Sequence, residues 1–138
     1  MAGYSGTPLA QKLGIKKTIT VINEPVGYRK LLADPANDVI FSDRLMKGSD
    51  FVHFFTTRRS ELQRQLKKLR SKIADAGIVW VSWPKKSAHL PTDVTEDVIR
   101  TMALPLGFVD VKVCAVDETW SGLKLLIRRE DRESESQK

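Results

Sequence analysis

The chain of 138 residues has one cysteine, Cys114, and two histidines, His53 and His89. A single thiol excludes an intramolecular disulfide and a thiolate metal cage, and it suits a reducing compartment. Two histidines 36 positions apart provide no metal-ligand spacing, and neither lies in a recognisable nucleophile–base arrangement. No apolar run approaches the roughly 20 residues a membrane-spanning helix needs. The start, Met1-Ala2-Gly3-Tyr4-Ser5-Gly6, lacks the basic and apolar regions of a secretion signal. The expectation is a cytoplasmic protein with no membrane partner.

Charge of one sign is in excess. Twenty-three Lys and Arg against 17 Asp and Glu give a net charge of +6. That balance favours an anionic small molecule or a protein as partner, with nucleic acid as the lesser alternative. Much of the excess falls in one segment, where Arg58, Arg59, Arg64, Lys67, Lys68, Arg70 and Lys72 face Glu61 and Asp75. No aromatic residues for base stacking are interleaved there, so a solvated helix face accounts for them.

The apolar pattern alternates between two periods. Thr7, Pro8 and Gly14 bracket a short first helix, and Ser5-Gly6-Thr7 at its start is a candidate anion cradle beside the plainer reading of a capped helix. Lys17 to Ile22 is a β-branched strand, followed by a turn at Asn23-Glu24-Pro25-Val26-Gly27 and a helical pattern through Tyr28, Leu31 and Leu32. A dinucleotide-type fold carries G-x-G-x-x-G at this point, so that the backbone can approach a pyrophosphate. Only Gly27 is present, and the motif is missing.

After a break at Asp34–Asp38, Val39 to Ser42 and Phe51 to Thr56 read as strands, with His53 among phenylalanines as a hydrogen-bonded core residue. Ser60 to Ala76 reads as a helix, with Ser60 and Gln63 as capping box, Leu62, Leu66, Leu69 and Ile73 as apolar stripe, and Gly77 as stop. Ile78 to Val81 is uncharged and reads as the central strand, ending at Ser82-Trp83-Pro84-Lys85-Lys86. Thr95 caps a last helix bearing Val98, Ile99, Met102 and Leu106. Val109–Val116 and Trp120–Arg128 form a hairpin, with a bend or bulge expected after Trp120. Asp117 and Glu118 fall in the connection, where a solvated turn explains them better than an acid/base pair.

This order predicts one α/β domain over residues 1–129 and a charged, disordered tail over 130–138. The architecture is a three-layer, Rossmann-like, mostly parallel sheet of about six strands with a C-terminal antiparallel hairpin. The ending is similar to the Rossmann-like methyltransferase fold, in which the last strand inserts antiparallel to its neighbours. Over nearly the whole chain up to Arg129, Gly3–Leu9, Trp83–Lys86, Thr92–Val98 and Val113–Leu123 also resemble a family of short bacterial proteins classified as a domain of unknown function. That resemblance implies a bacterial cytoplasmic protein and carries no activity.

Ligands of open α/β sheets bind beyond the carboxyl ends of the strands. The rule nominates Asn23, Glu24, Thr56, Thr57, Arg58, Ser82, Trp83, Lys85 and Lys86 as a candidate cleft. The sequence names no cofactor, no metal ligand and no catalytic residue. The leading expectation is a non-catalytic ligand- or protein-binding module on a degenerate Rossmann-like fold, leaning away from enzyme activity. The alternatives are a divergent S-adenosylmethionine-dependent methyltransferase, with Glu24 or Asp43 on a ribose and Trp83 stacking, and a nucleic-acid-binding protein using the basic helix.

Overall fold

A computed structural model describes residues 9–15, 17–32 and 39–132. The candidate cradle Ser5-Gly6-Thr7, the break at Asp34–Asp38 and residues 133–138 lie outside the described residues. The elements run α1 (Leu9–Leu13), β1 (Thr18–Ile22), α2 (Tyr28–Leu32), β2 (Ile40–Ser42), β3 (Ser49–Phe55), α3 (Arg59–Lys72), β4 (Ile73–Pro84), α4 (Glu96–Ala103), β5 (Phe108–Ala115) and β6 (Trp120–Ile127).

The described strands form one six-stranded sheet in the order β2-β1-β3-β4-β6-β5. β2, β1, β3 and β4 are parallel, whereas β6 runs antiparallel to both β4 and β5. A short connection leaves β6 no choice of direction, and its insertion between β4 and β5 puts the start of β6 beside the end of β4. The α/β class and the antiparallel C-terminal strands stand as expected from the sequence.

Helices cover both faces. α3 and α4 bury Leu62, Leu66, Leu69, Ile99 and Ala103 against Val52, Phe54, Val79, Val81, Leu123 and Leu125. On the other face, α1 and α2 bury Ala10, Leu13, Tyr28 and Leu32 against Ile19, Val21, Phe51, Phe55 and Trp80. Alternate residues of β3 and β4 feed opposite layers, as a strand's period of two requires. Trp80 is sealed completely, and its indole N–H donates to Leu13 O at 2.8 Å, which fixes α1 on the sheet.

α3 differs from its sequence reading at both ends. Its N-terminus is capped from a distance: Arg59 N–H donates to Asp93 Oδ1 at 2.7 Å, and the helix has no local side-chain cap from Arg58. At the other end the helix stops at Lys72, where Gly48 N–H donates to Lys72 O at 2.7 Å and Lys47 Nζ to Ser71 O at 3.0 Å. Those donors from the β2–β3 connection satisfy carbonyls that would otherwise continue the helix. Ile73 therefore belongs to β4 and pairs with Ser49, while Ile78 pairs with Phe51, so β4 carries three more residues than β3 in that interval. Gly77 sits in this irregularity. A Cβ there would lie 2.6 Å from Ile73 Cγ1, so the position needs glycine for close approach and not as a helix stop.

The hairpin also departs from expectation. Its irregularity falls in β5, between Asp110 and Lys112, and β6 pairs without one. Val109, Val111 and Val113 are 36%, 48% and 44% exposed despite their alternation, because β5 is the outer strand. Past Arg129 the chain makes a 3-10 turn through Asp131, whose side chain accepts from Arg128 Nε at 2.9 Å, so Glu130 and Asp131 are placed on the domain.

Candidate functional site

Chain order reverses at β1. From β1 the path goes outward to β2, then crosses back over β1 to β3. α2, which follows β1, lies on one face, and α3, which follows β3, lies on the other. The carboxyl ends of β1 and β3 are thus left open between diverging helices, the position at which doubly wound sheets take their ligands.

A groove of about 280 Å³ occupies that position, lined by Asn23, Phe55, Thr56, Thr57, Arg58, Glu61 and Trp120. Asn23 begins the turn after β1 with φ 61°, a left-handed conformation that asparagine tolerates better than most residues. Its Nδ2 donates to Phe55 O at 2.9 Å and to Glu61 Oε2 at 3.1 Å, which ties the end of β1 to β3 and to the first turn of α3. Thr56 is buried, and its Oγ1 donates to Glu61 Oε1 at 2.7 Å. Both carboxylate oxygens of Glu61 are therefore held by neutral donors. Thr57 O accepts from Thr92 Oγ1 at 2.8 Å, so the loop before α4 pins the strand end. Arg58 is exposed at the rim.

Trp120 closes the groove from the far side. As the first residue of β6 it pairs with Pro84, and its N–H donates to Asp117 Oδ1 at 2.8 Å. Its ring stands edge-on to Phe55, with centroids 5.1 Å apart at 83°. Asp117 also accepts from Thr119 N–H at 2.8 Å, so this residue organises the β5–β6 turn.

Asn23, Thr56, Thr57 and Arg58 are brought together, and the other nominated residues stand apart from the groove lining. Glu24 forms an ion pair with Arg29 at 3.0 Å. Ser82 is sealed beneath the rim, where its Oγ lies 2.6 Å from His53 Nε2. Trp83 packs into the layer under α3 and α4. Lys85 N–H donates to Thr119 O at 2.8 Å, and Lys86 is exposed on the following turn. Glu61 and Trp120 were not among the nominated residues. Glu61 was readable as the first-turn carboxylate after a strand end, whereas Trp120 reaches the groove only because β6 is inserted antiparallel beside β4.

Below the groove lies a second polar set. His53 is fully buried, with Tyr28 OH 2.5 Å from Nδ1 and Ser82 Oγ 2.6 Å from Nε2. Burial pushes the His53 pKa down to about 3 and holds the Tyr28 hydroxyl well above its ordinary range. A neutral ring has one donor and one acceptor nitrogen, so one hydroxyl donates to it and the other accepts. Among the described residues no group of His, Cys, Asp or Glu has the arrangement of a metal site, and no helix is long and apolar enough to cross a membrane.

No family model matches this sequence. No curated protein matches it either. Solved structures do match. The chain is similar to the PH0226 protein from Pyrococcus horikoshii OT3, with TM-score 0.61 and 13% identity over 88% of this chain and 87% of that one. It is similar to a putative type 11 methyltransferase from Sulfolobus solfataricus, with TM-score 0.56 and 14% identity over 89% and 91%. A ribosomal protein L11 methylase from Lactobacillus delbrueckii subsp. bulgaricus matches with TM-score 0.56 and 13% identity over 88% and 75%. The fold is that of Rossmann-like methyltransferases.

This likeness corrects two expectations. The sequence weighs towards a non-catalytic binding module and away from enzyme activity, because its β1 turn lacks the glycine motif and it carries no recognisable nucleophile–base pair or metal-ligand cluster. The same frame occurs in methyltransferases, and in this chain the β1–α2 turn has Asn23 and Gly27 in left-handed conformations, at φ 61° and 87°.

Proposed function

We propose that this protein is a methyltransferase that uses S-adenosylmethionine. The observation that carries the proposal is the open groove at the β1/β3 reversal of a methyltransferase-like sheet. When bound, S-adenosylmethionine supplies an electrophilic methyl group for transfer.

The residues at the groove suit such a ligand. The β1–α2 turn is uncluttered, since a Cβ on Gly27 would meet nothing within 4 Å, and a ligand can approach its backbone. Asp43, which is exposed and follows the carboxyl end of β2, provides an acceptor for ribose hydroxyls, whereas Glu24 is engaged by Arg29. Asn23 fixes the floor through Phe55 O and Glu61, and the Trp120 ring offers a stacking wall. The groove is open and close to the lower end of ligand pockets, roughly 300 Å³.

Isothermal titration of the full chain with S-adenosylmethionine and with its demethylated product tests this reading. Saturable heat with both is expected, reduced by Asp43→Ala and by Trp120→Leu. Absence of heat with either compound at millimolar concentration overturns it.

A further inference from the structure

The groove contains a carboxylate, Glu61, that forms no ion pair with the described residues. Glu61 accepts from Asn23 Nδ2 and Thr56 Oγ1, both neutral, and the ion pairs among the described residues leave it out. It is only partly buried, its two bonds hold it in one orientation, and it shares a groove of about 280 Å³ with an aromatic wall, Trp120. Trp120 is held in turn by Asp117 and by Phe55. A fixed negative charge and an indole lining one groove are the chemistry that recognises organic cations: the carboxylate supplies the counter-charge, and an indole attracts a cation to its face within about 6 Å of the centroid. Arg58 lines the same groove but is exposed and forms no ion pair with Glu61.

We propose that Glu61 and Trp120 form a subsite for an organic onium cation. The cation is either the alkylammonium group of a substrate or a sulfonium group. The assignment goes beyond methyl transfer, and its alkylammonium arm does not depend on that reading. Asn23 and Thr56 act on the subsite indirectly, by orienting the carboxylate.

The test uses the full chain labelled with nitrogen-15, in which three tryptophan indole N–H signals are expected and Trp120→Phe assigns one. The probes are n-butylammonium chloride and uncharged 1-butanol at constant ionic strength, followed by calorimetric titration of S-adenosylmethionine against S-adenosylhomocysteine, which lacks the sulfonium charge. For an alkylammonium site, butylammonium shifts the Trp120 signal, butanol does not, and Glu61→Gln weakens the ammonium about tenfold. For a sulfonium site, Glu61→Gln weakens S-adenosylmethionine about tenfold and spares S-adenosylhomocysteine.

Asp50→Asn, which removes the same charge at the start of β3, leaves both titrations unchanged in either case. Trp120→Leu keeps the bonds of Glu61 and serves if the Glu61 variant fails to fold; it too weakens the cation. Equal binding of every cation by wild type, Glu61→Gln and Trp120→Leu overturns the proposal, as does an equal response to butanol. If neither nucleoside binds wild type while butylammonium does, methyl transfer fails and the cation subsite stands.

Discussion

Two polar networks cross β3 within three residues of each other, and they differ chiefly in access to water. Tyr28, His53 and Ser82 link α2, β3 and β4 in a chain closed at every atom, with all three side chains buried. Asn23, Thr56 and Glu61 link the end of β1, the end of β3 and α3, but Asn23 is exposed and Glu61 is half open to the groove. Both contain residue types found in active sites. What separates them is height along the strand: one turn of pleat below the rim, histidine and serine become framework, and at the rim asparagine and glutamate stay open to solvent. A buried polar network must satisfy itself completely or lose stability. The open one can leave acceptors for something else.

The largest expected effect comes from breaking the sealed network. His53→Ala removes a ring stacked 4.1 Å from Phe55 and leaves the Tyr28 and Ser82 hydroxyls without their partner. Cavity and lost hydrogen bonds together should cost about 4 kcal/mol, read as a lowered urea midpoint at unchanged slope. Loss of less than about 1 kcal/mol would mean that the site collapses or admits water, and the contrast between sealed and open networks would fail.

Acid should open the same network without a mutation. His53 binds a proton near pH 6.5 in the unfolded chain and near 3 in the folded one. Between those values the unfolded state holds more protons, so the contribution is complete above pH 6.5 and shrinks on acidification, by about 1.4 kcal/mol per pH unit at most. Stability of wild type and of His53→Gln measured from pH 7 to 4 should differ in slope. Parallel curves would show that His53 does not carry the change.

Tyr28→Phe is a milder break. It keeps the edge contacts to His53 and Phe55 and removes only the hydroxyl on Nδ1, so about 2 kcal/mol is expected, with the pH slope retained.

The difference between the networks was only partly legible in the sequence. His53 read correctly as a core histidine, because the phenylalanines around it require burial. Ser82 did not read correctly, since the rule of carboxyl ends gives the rim but not the residue at which a strand leaves the core. β4 stays in the sheet through Pro84, so Ser82 remains below the surface. The helix reading over Ser60–Ala76 held for the body of α3 and overran its end for a related reason: propensity favours continuing through Ile73 and Ala74, and the donors that stop α3 come from Lys47 and Gly48, which no local pattern connects to it. Trp120 was the hardest to place. Its role depends on β6 lying between β4 and β5, a pairing set by the whole sheet. Tertiary bonds that override local preference are what the sequence conceals, and both Glu61 and Trp120 owe their positions to them.

The smallest effect tests whether the open network is built for geometry or for stability. Asn23 contributes two hydrogen bonds, and it also holds φ 61°, where a Cβ is unfavourable. Asn23→Ala loses the bonds and keeps the strain, whereas Asn23→Gly loses the bonds and relieves it. The two variants should therefore differ by about 1 kcal/mol, with glycine the more stable. Because the Asn23 side chain is exposed, water replaces much of what its amide gave, and even the alanine variant should lose less than His53→Ala does. If the two networks differ as argued, Asn23→Gly alters ligand affinity at the groove far more than it alters the unfolding midpoint, since Glu61 loses one of the two donors that orient it. A midpoint loss as large as that of His53→Ala would place Asn23 in the framework and reduce the rim to an extension of the core.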